Sequence, residues 1–226
     1  ALALKPDYVA ACFEIGMVLS ELKRHDEALH CYNKVISLEP DKIVAYVSRG
    51  KVLKALELYD EAAENFEKAI LLGSDDSDTF NLLGNVLIEL NLFDEALHNF
   101  DKAISMNPNF SEAYSNRGNA LMRLNNYEEA LESYDKSIIL NPQYAEVFNN
   151  RGGALTKLKR YQEAIESYDK AIFIKPDYPQ AFCNRGYALK DVELFHESLE
   201  SFKNAVALKP DLKWVPGMMI SIKTQT

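Results

Sequence analysis

The chain has 226 residues, 47% hydrophobic and 26% charged, with a formal net charge of −9 and a pI near 5.0. That balance lacks the basic footprint a nucleic-acid or anionic-membrane binder needs, so no nucleic acid and no membrane are expected as partners. No secretory leader or apolar run of spanning length is read, and Cys12, Cys31 and Cys183 show no metal-type spacing. An odd number of thiols without such spacing suits a reducing compartment, the cytoplasm, better than a disulfide framework.

Taken in order, the first eight residues, ALALKPDY, match AVALKPDL at 205–212. Residues 1–8 therefore read as the end of a truncated preceding unit, and the sequence as a fragment of something longer. Six units of thirty-four residues follow, at 9–42, 43–76, 77–110, 111–144, 145–178 and 179–212. Pro6, Pro40, Pro108, Pro142, Pro176 and Pro210 punctuate them, and an Arg-Gly pair recurs at 49–50, 117–118, 151–152 and 185–186. A fixed period of this size predicts a solenoid in which each unit buries its apolar face against its neighbours.

Within each unit, apolar residues recur at three- and four-residue steps in two segments, which predicts an antiparallel helical hairpin and an all-α chain. In the fourth unit the helices are expected over 111–124 and 128–140. The second opens on Glu128 and Glu129 and closes on Lys136, complementing the helix dipole, before Pro142 stops it. Gly16, Gly50, Gly84, Gly118, Gly152 and Gly186 sit mid-helix, where glycine costs roughly 1 kcal/mol relative to alanine, so a packing reason is required. Ala28, Ala62, Ala96, Ala130, Ala164 and Ser198 supply a second smooth patch twelve residues on. Tyr32, Phe66, Phe100, Tyr134, Tyr168 and Phe202 are expected to fill the seam to the next unit.

Period, glycine, alanine, aromatic and proline positions together resemble the tetratricopeptide repeat family over 1–212. The resemblance implies a right-handed superhelical solenoid whose first helices line a concave groove that holds peptides or partner proteins. Two stretches depart from it. LLGSDDSDTF has Gly73-Ser74 where other units have proline. Asp75, Asp76 and Asp78 lack the spacing and distal glutamate of a calcium loop, so a softened joint is expected. In the tail, Pro216 and Ile220 stand where an aromatic and a glycine belong. Residues 213–226 are read as a capping or junction helix, laying Trp214, Met218, Met219 and Ile222 over the last repeat.

No catalytic constellation is read, and no metal or cofactor. His25, His30, His98 and His196 lie far apart, and Glu27, Glu61, Glu95, Glu129, Glu163 and Glu197 recur once per unit at a helix start. Cys31 is the thiol expected to be partly exposed, with nothing beside it to lower its pKa. Chemistry concentrates in the groove. At or beside the positions that the resemblance turns inward stand Asn81, Asn85, Asn116, Asn119, Asn149, Asn150 and Asn184. A carboxamide donates and accepts at once, so such a ladder could pair with the backbone of an extended peptide, or simply be a solvated polar face. Arg123, Lys157 and Lys190, with Lys51 and Lys54, border the same face, but Glu21, Asp78, Glu89, Glu112, Glu146 and Asp191 offset them. The lysine and asparagine pairing of chaperone-tail-binding members is absent from every unit. Phe13, Met17, Val44 and Val47 read as a contact with a preceding repeat. Arg49, Arg117, Arg151 and Arg185 read as seam covers acting through their aliphatic stems.

The units look most like bacterial arrays. The tail is similar to the segment joining repeat arm to catalytic region in bacterial relatives of SPINDLY and the O-linked N-acetylglucosamine transferases. In that family asparagines lining the superhelix hold acceptor proteins, and Asn116, Asn150 and Asn184 match those positions. Three readings stand: a scaffold binding a peptide or protein partner, the non-catalytic acceptor-presenting arm of a protein glycosyltransferase, and a self-assembling scaffold.

Overall fold

The computed structural model describes residues 6–212 together with 215, 217 and 220. The described residues form twelve α-helices and no strand. Two compact units divide the chain, Ala1–Pro108 and Asn109–Thr226. Unit one holds α1 (Pro6–Glu21), α2 (His25–Leu38), α3 (Ile43–Ala55), α4 (Tyr59–Leu71), α5 (Ser77–Glu89) and α6 (Phe93–Met106). Unit two holds α7 (Ser111–Arg123), α8 (Tyr127–Leu140), α9 (Ala145–Lys157), α10 (Tyr161–Ile174), α11 (Pro179–Asp191) and α12 (Phe195–Leu208). Odd-numbered helices pack on the even-numbered helix that follows, and within each unit every even-numbered helix packs on the next first helix.

The hairpin turns are made by one device. Lys23, Glu57, Asn91, Asn125, Lys159 and Glu193 all have φ between 58° and 63°. At each, the amide of the left-handed residue bonds the carbonyl three back and the next amide reaches five back, as with Lys159 N to Thr156 O at 3.0 Å and Arg160 N to Leu155 O at 2.9 Å. This double closure satisfies the carbonyls a helix end leaves open. The acidic residues then fall in the first turn of the second helix, among them Asp60 and Glu61 in α4 and Glu128 and Glu129 in α8, where the dipole favours them. Lys136 does not close α8: the helix runs on to Leu140 and its last turn carries no basic residue.

The mid-helix glycines have a specific reason. A Cβ on Gly118 would stand 2.5 Å from the ring of Tyr134, and one on Gly16 would stand 2.8 Å from that of Tyr32. Each aromatic thus lies on the bare backbone of its own hairpin's glycine. It reaches the seam to the next unit too, since Tyr32 also packs with Val52 of α3. The small residues are fully buried beside it, and in the last hairpin Ser198 adds a 2.7 Å bond to the Gly186 carbonyl.

The arginines before the glycines use their heads as well as their stems. Arg151 of α9 donates to Asp135 of α8 at 2.6 Å and to Ser167 of α10 at 2.7 Å. Arg185 of α11 does the same with Asp169 and Ser201, and Arg49 of α3 with Asn33 and Asn65. One planar guanidinium therefore ties two successive second helices.

The expected soft joint is instead a built one. Gly73, at φ 95°, closes α4 with the same double closure as the hairpin turns. Asp76 caps α5 by accepting from the amides of Asp78 and Thr79, both at 3.2 Å. In the tail, Val215 is buried against Cys183, Phe202 and Ala205, whereas Ile220 is exposed. The expected cap by Trp214, Met218, Met219 and Ile222 lies outside the described residues.

Candidate functional site

The first helices of unit two place polar side chains at one level, because α7 packs on α9 and α9 on α11. Their carboxamides are joined into a chain. Asn184 Nδ2 of α11 donates to Asn149 Oδ1 of α9 at 2.9 Å. Asn149 Nδ2 donates to Asn150 Oδ1 at 3.2 Å, and Asn150 Nδ2 to Asn119 Oδ1 of α7 at 3.0 Å. Tyr134 Oη adds a second donor to Asn119 Oδ1 at 2.8 Å. All these bonds share one direction, each amide passing its proton side to the next carbonyl. Burial pushes the Tyr134 phenol well above its ordinary value, which keeps it a donor.

The expected site residues do not all lie on this surface. Asn149, at 9% exposed, supports the face from beneath, and Asn81, on α5 of unit one, is buried at 3%, so both are corrected as gripping residues. Asn85, on α5, and Asn116, Asn119, Asn150 and Asn184 are half-buried. A primary amide carries two N–H donors and two lone pairs. The chain uses one donor of Asn150 and one of Asn184, leaving each a second for a ligand. Arg123, Lys157 and Lys190 stand in the last turns of α7, α9 and α11, where they complement the helix dipole. Arg123 and Lys157 are exposed, and Lys190 is half-buried. Lys175 bonds Glu146 at 3.0 Å and holds that carboxyl below its usual range.

What the sequence reading missed is that the asparagines bind each other. The adjacent pair Asn149-Asn150 was the available sign: neighbouring residues on a helix turn about 100° apart, so one faces down the seam while the other faces out. Burial raises the Cys183 thiol, and raises that of Cys31 with help from Cys12 and Glu27, so neither is activated. Among the described residues no group of three His, Cys, Asp or Glu side chains could hold a metal. None of the described helices is long and apolar enough to cross a membrane.

Family profiles of the tetratricopeptide repeat match residues 9–42, 43–75, 81–145, 116–179 and 179–212. The crystal structure of YrrB, described as a TPR protein with an unusual peptide-binding site, is 32% identical with a TM-score of 0.66, covering 75% of this chain and 88% of that one. The chain belongs to the tetratricopeptide repeat family. PilF of Pseudomonas aeruginosa, 18% identical, matches with a TM-score of 0.80 over 95% of this chain and 98% of its own. MamA, 21% identical, matches with a TM-score of 0.69 over 75% and 92%. These two likenesses speak to the tetratricopeptide repeat fold alone. No curated protein sequence matches the chain significantly.

Proposed function

We propose that this chain is a protein-interaction scaffold that holds an extended peptide of a partner protein along the first-helix face of unit two. The observation that carries the reading is the carboxamide chain running from Asn184 through Asn149 and Asn150 to Asn119. Packed helices lie roughly 10 Å apart, and an extended peptide advances roughly 3.3 Å per residue, so every third peptide group meets a new helix. Asn150 and Asn184 have amide donors to spare for peptide carbonyls, with Asn149 as the positioning residue beneath. Arg123, Lys157 and Lys190 border the ligand path and favour acidic flanking residues. YrrB's description as peptide-binding supports the same use of the fold.

In this reading the six thirty-four-residue units are the repeats, the chain presents rather than transforms its ligand, and its three free cysteines fit the cytoplasm. The acceptor-presenting arm of a glycosyltransferase rests on the tail's resemblance and on Asn116, Asn150 and Asn184 alone. Self-assembly is separated by sedimentation velocity across a concentration series.

The test begins with peptides selected from a random displayed library on the wild-type chain. Changing Asn116, Asn150 and Asn184 together to Ala is expected to weaken the selected peptides at least about tenfold, equivalent to about 1.4 kcal/mol, with helicity unchanged. Retained affinity in a folded triple variant overturns the reading.

A further inference from the structure

Among the second helices of unit one, the arginine bridge joins α2 to α4 but not α4 to α6, and a cleft stands in its place there. The residue before the mid-helix glycine is Arg49 in α3 but Leu83 in α5. Between α4 and α6, at the junction that Leu83 faces, lies a cleft of about 600 Å³. Phe80 and Leu83 form its apolar floor, and Leu71, 77% exposed, forms its lip. Glu64, Glu67, Lys68, His98 and Asn99 make up the polar part of its wall.

Two of those wall residues are the acceptors that a bridging arginine uses elsewhere. Each bridge joins an arginine to residues sixteen positions before and sixteen positions after it: Asn33 and Asn65 for Arg49, Asp135 and Ser167 for Arg151, Asp169 and Ser201 for Arg185. Counted from Leu83, the same offsets give Glu67 and Asn99, and both line the cleft. Asn99 is also set as the acceptors are. Its Nδ2 donates to the Glu95 carbonyl at 2.9 Å, just as Asn65 Nδ2 donates to the Glu61 carbonyl at 2.7 Å. In Asn65 that bond leaves Oδ1 to accept from Arg49 Nε at 2.7 Å.

We infer that this cleft receives the guanidinium of an arginine side chain from a partner protein, which completes in trans the bridge that Arg49, Arg151 and Arg185 make in cis. Glu67 accepts a charge-assisted bond, Asn99 Oδ1 a second, and the arginine stem lies on Phe80 and Leu83. Glu64 adds negative charge on the cationic head's side of the balance, and Lys68 partly offsets it. Lysine fits less well, since an ammonium is a point charge without the fork that reaches both acceptors. The site is separate from the carboxamide face and does not depend on it.

The test is an NMR titration of the whole chain with Nα-acetyl-arginine N-methylamide, and with its neutral citrulline counterpart. We expect the arginine probe to shift the Asn99 side-chain amide and Leu83 methyl signals, with a dissociation constant of about millimolar. Citrulline should give no saturable shift, and Glu67→Gln should weaken arginine at least about tenfold. Leu83→Arg should abolish probe binding by restoring the bridge in cis. Equal shifts with citrulline, no loss in Glu67→Gln, or undiminished binding to a folded Leu83→Arg chain overturns the site. The protein source is tested by peptide display on the carboxamide triple variant: arginine-bearing peptides whose capture needs Glu67 support it, and capture indifferent to arginine overturns it.

Discussion

At the fifth position of each thirty-four-residue period unit one carries Phe13, Val47 and Asn81, where unit two carries Ser115, Asn149 and Cys183. At the sixth, unit one has Glu14, Ser48 and Leu82, where unit two has asparagine three times, Asn116, Asn150 and Asn184. Beneath these faces the construction is the same: a ring on a glycine, a buried small residue, a left-handed residue at the hairpin turn. The scaffold therefore does not decide the chemistry of the face. It fixes where side chains stand, and the residues at those stations decide whether the surface is apolar, charged or a linked set of amides.

The largest effect tests the shared scaffold. Tyr168 and Phe66 are both fully buried over Gly152 and Gly50. Truncating either to Ala removes the ring and leaves a cavity, for which the expected loss is about 3–5 kcal/mol. Urea denaturation followed by circular dichroism should give similar losses in the two units. A loss under about 1 kcal/mol at one of them would break the equivalence.

Much of this scaffold was legible because each feature repeats at a fixed interval, so the ring and the glycine beneath it announce themselves at every period. The amide chain was less legible. Asn149 and Asn150 are identical in type, and only the packing of α9 between α7 and α11 turns one inward to Asn184 and leaves the other facing Asn119. The Leu83 cleft was half visible, as a break in the Arg-Gly series. Its meaning needed the acceptors sixteen residues to either side, which are far in sequence and adjacent only once the second helices stack. Lys136 misled because it lies four residues before the end of α8 at Leu140, outside the last turn.

An intermediate effect separates tyrosine from phenylalanine at the shared ring position through pH. Phe66, Phe100 and Phe202 have no hydroxyl, whereas at Tyr134 burial holds the phenol well above its ordinary value of 10.0. Below about pH 10 both folded and unfolded chains keep that proton, and stability is unaffected. Above it the unfolded chain releases the proton while the folded chain retains it, so stability falls as pH rises. The expected loss is about 1.4 kcal/mol per pH unit from this one group. Tyr134→Phe should remove that share of the slope while Asn119 still accepts from Asn150, so the stability difference between the two chains should change steadily above pH 10. Parallel curves would mean that the phenol is not held neutral by the fold.

The smallest effect returns to the turns, where both units store the same strain. Glu57 and Glu193 have φ of 60° and 61°, a region in which a residue with a Cβ is disfavoured by about 1–2 kcal/mol. Glycine adopts it freely but loses roughly 0.5–1 kcal/mol of chain entropy on folding. The balance for Glu57→Gly or Glu193→Gly is a gain of a few tenths to about 1 kcal/mol, visible as a small rise in Tm. Asn91→Gly and Asn125→Gly should gain less, since asparagine tolerates the left-handed region better than glutamate. Equal gains in the two glutamate variants would place the turn in the common scaffold; a gain confined to one unit would mean that the hairpins differ below the faces, and that face chemistry is not the only thing the sequence has varied between them.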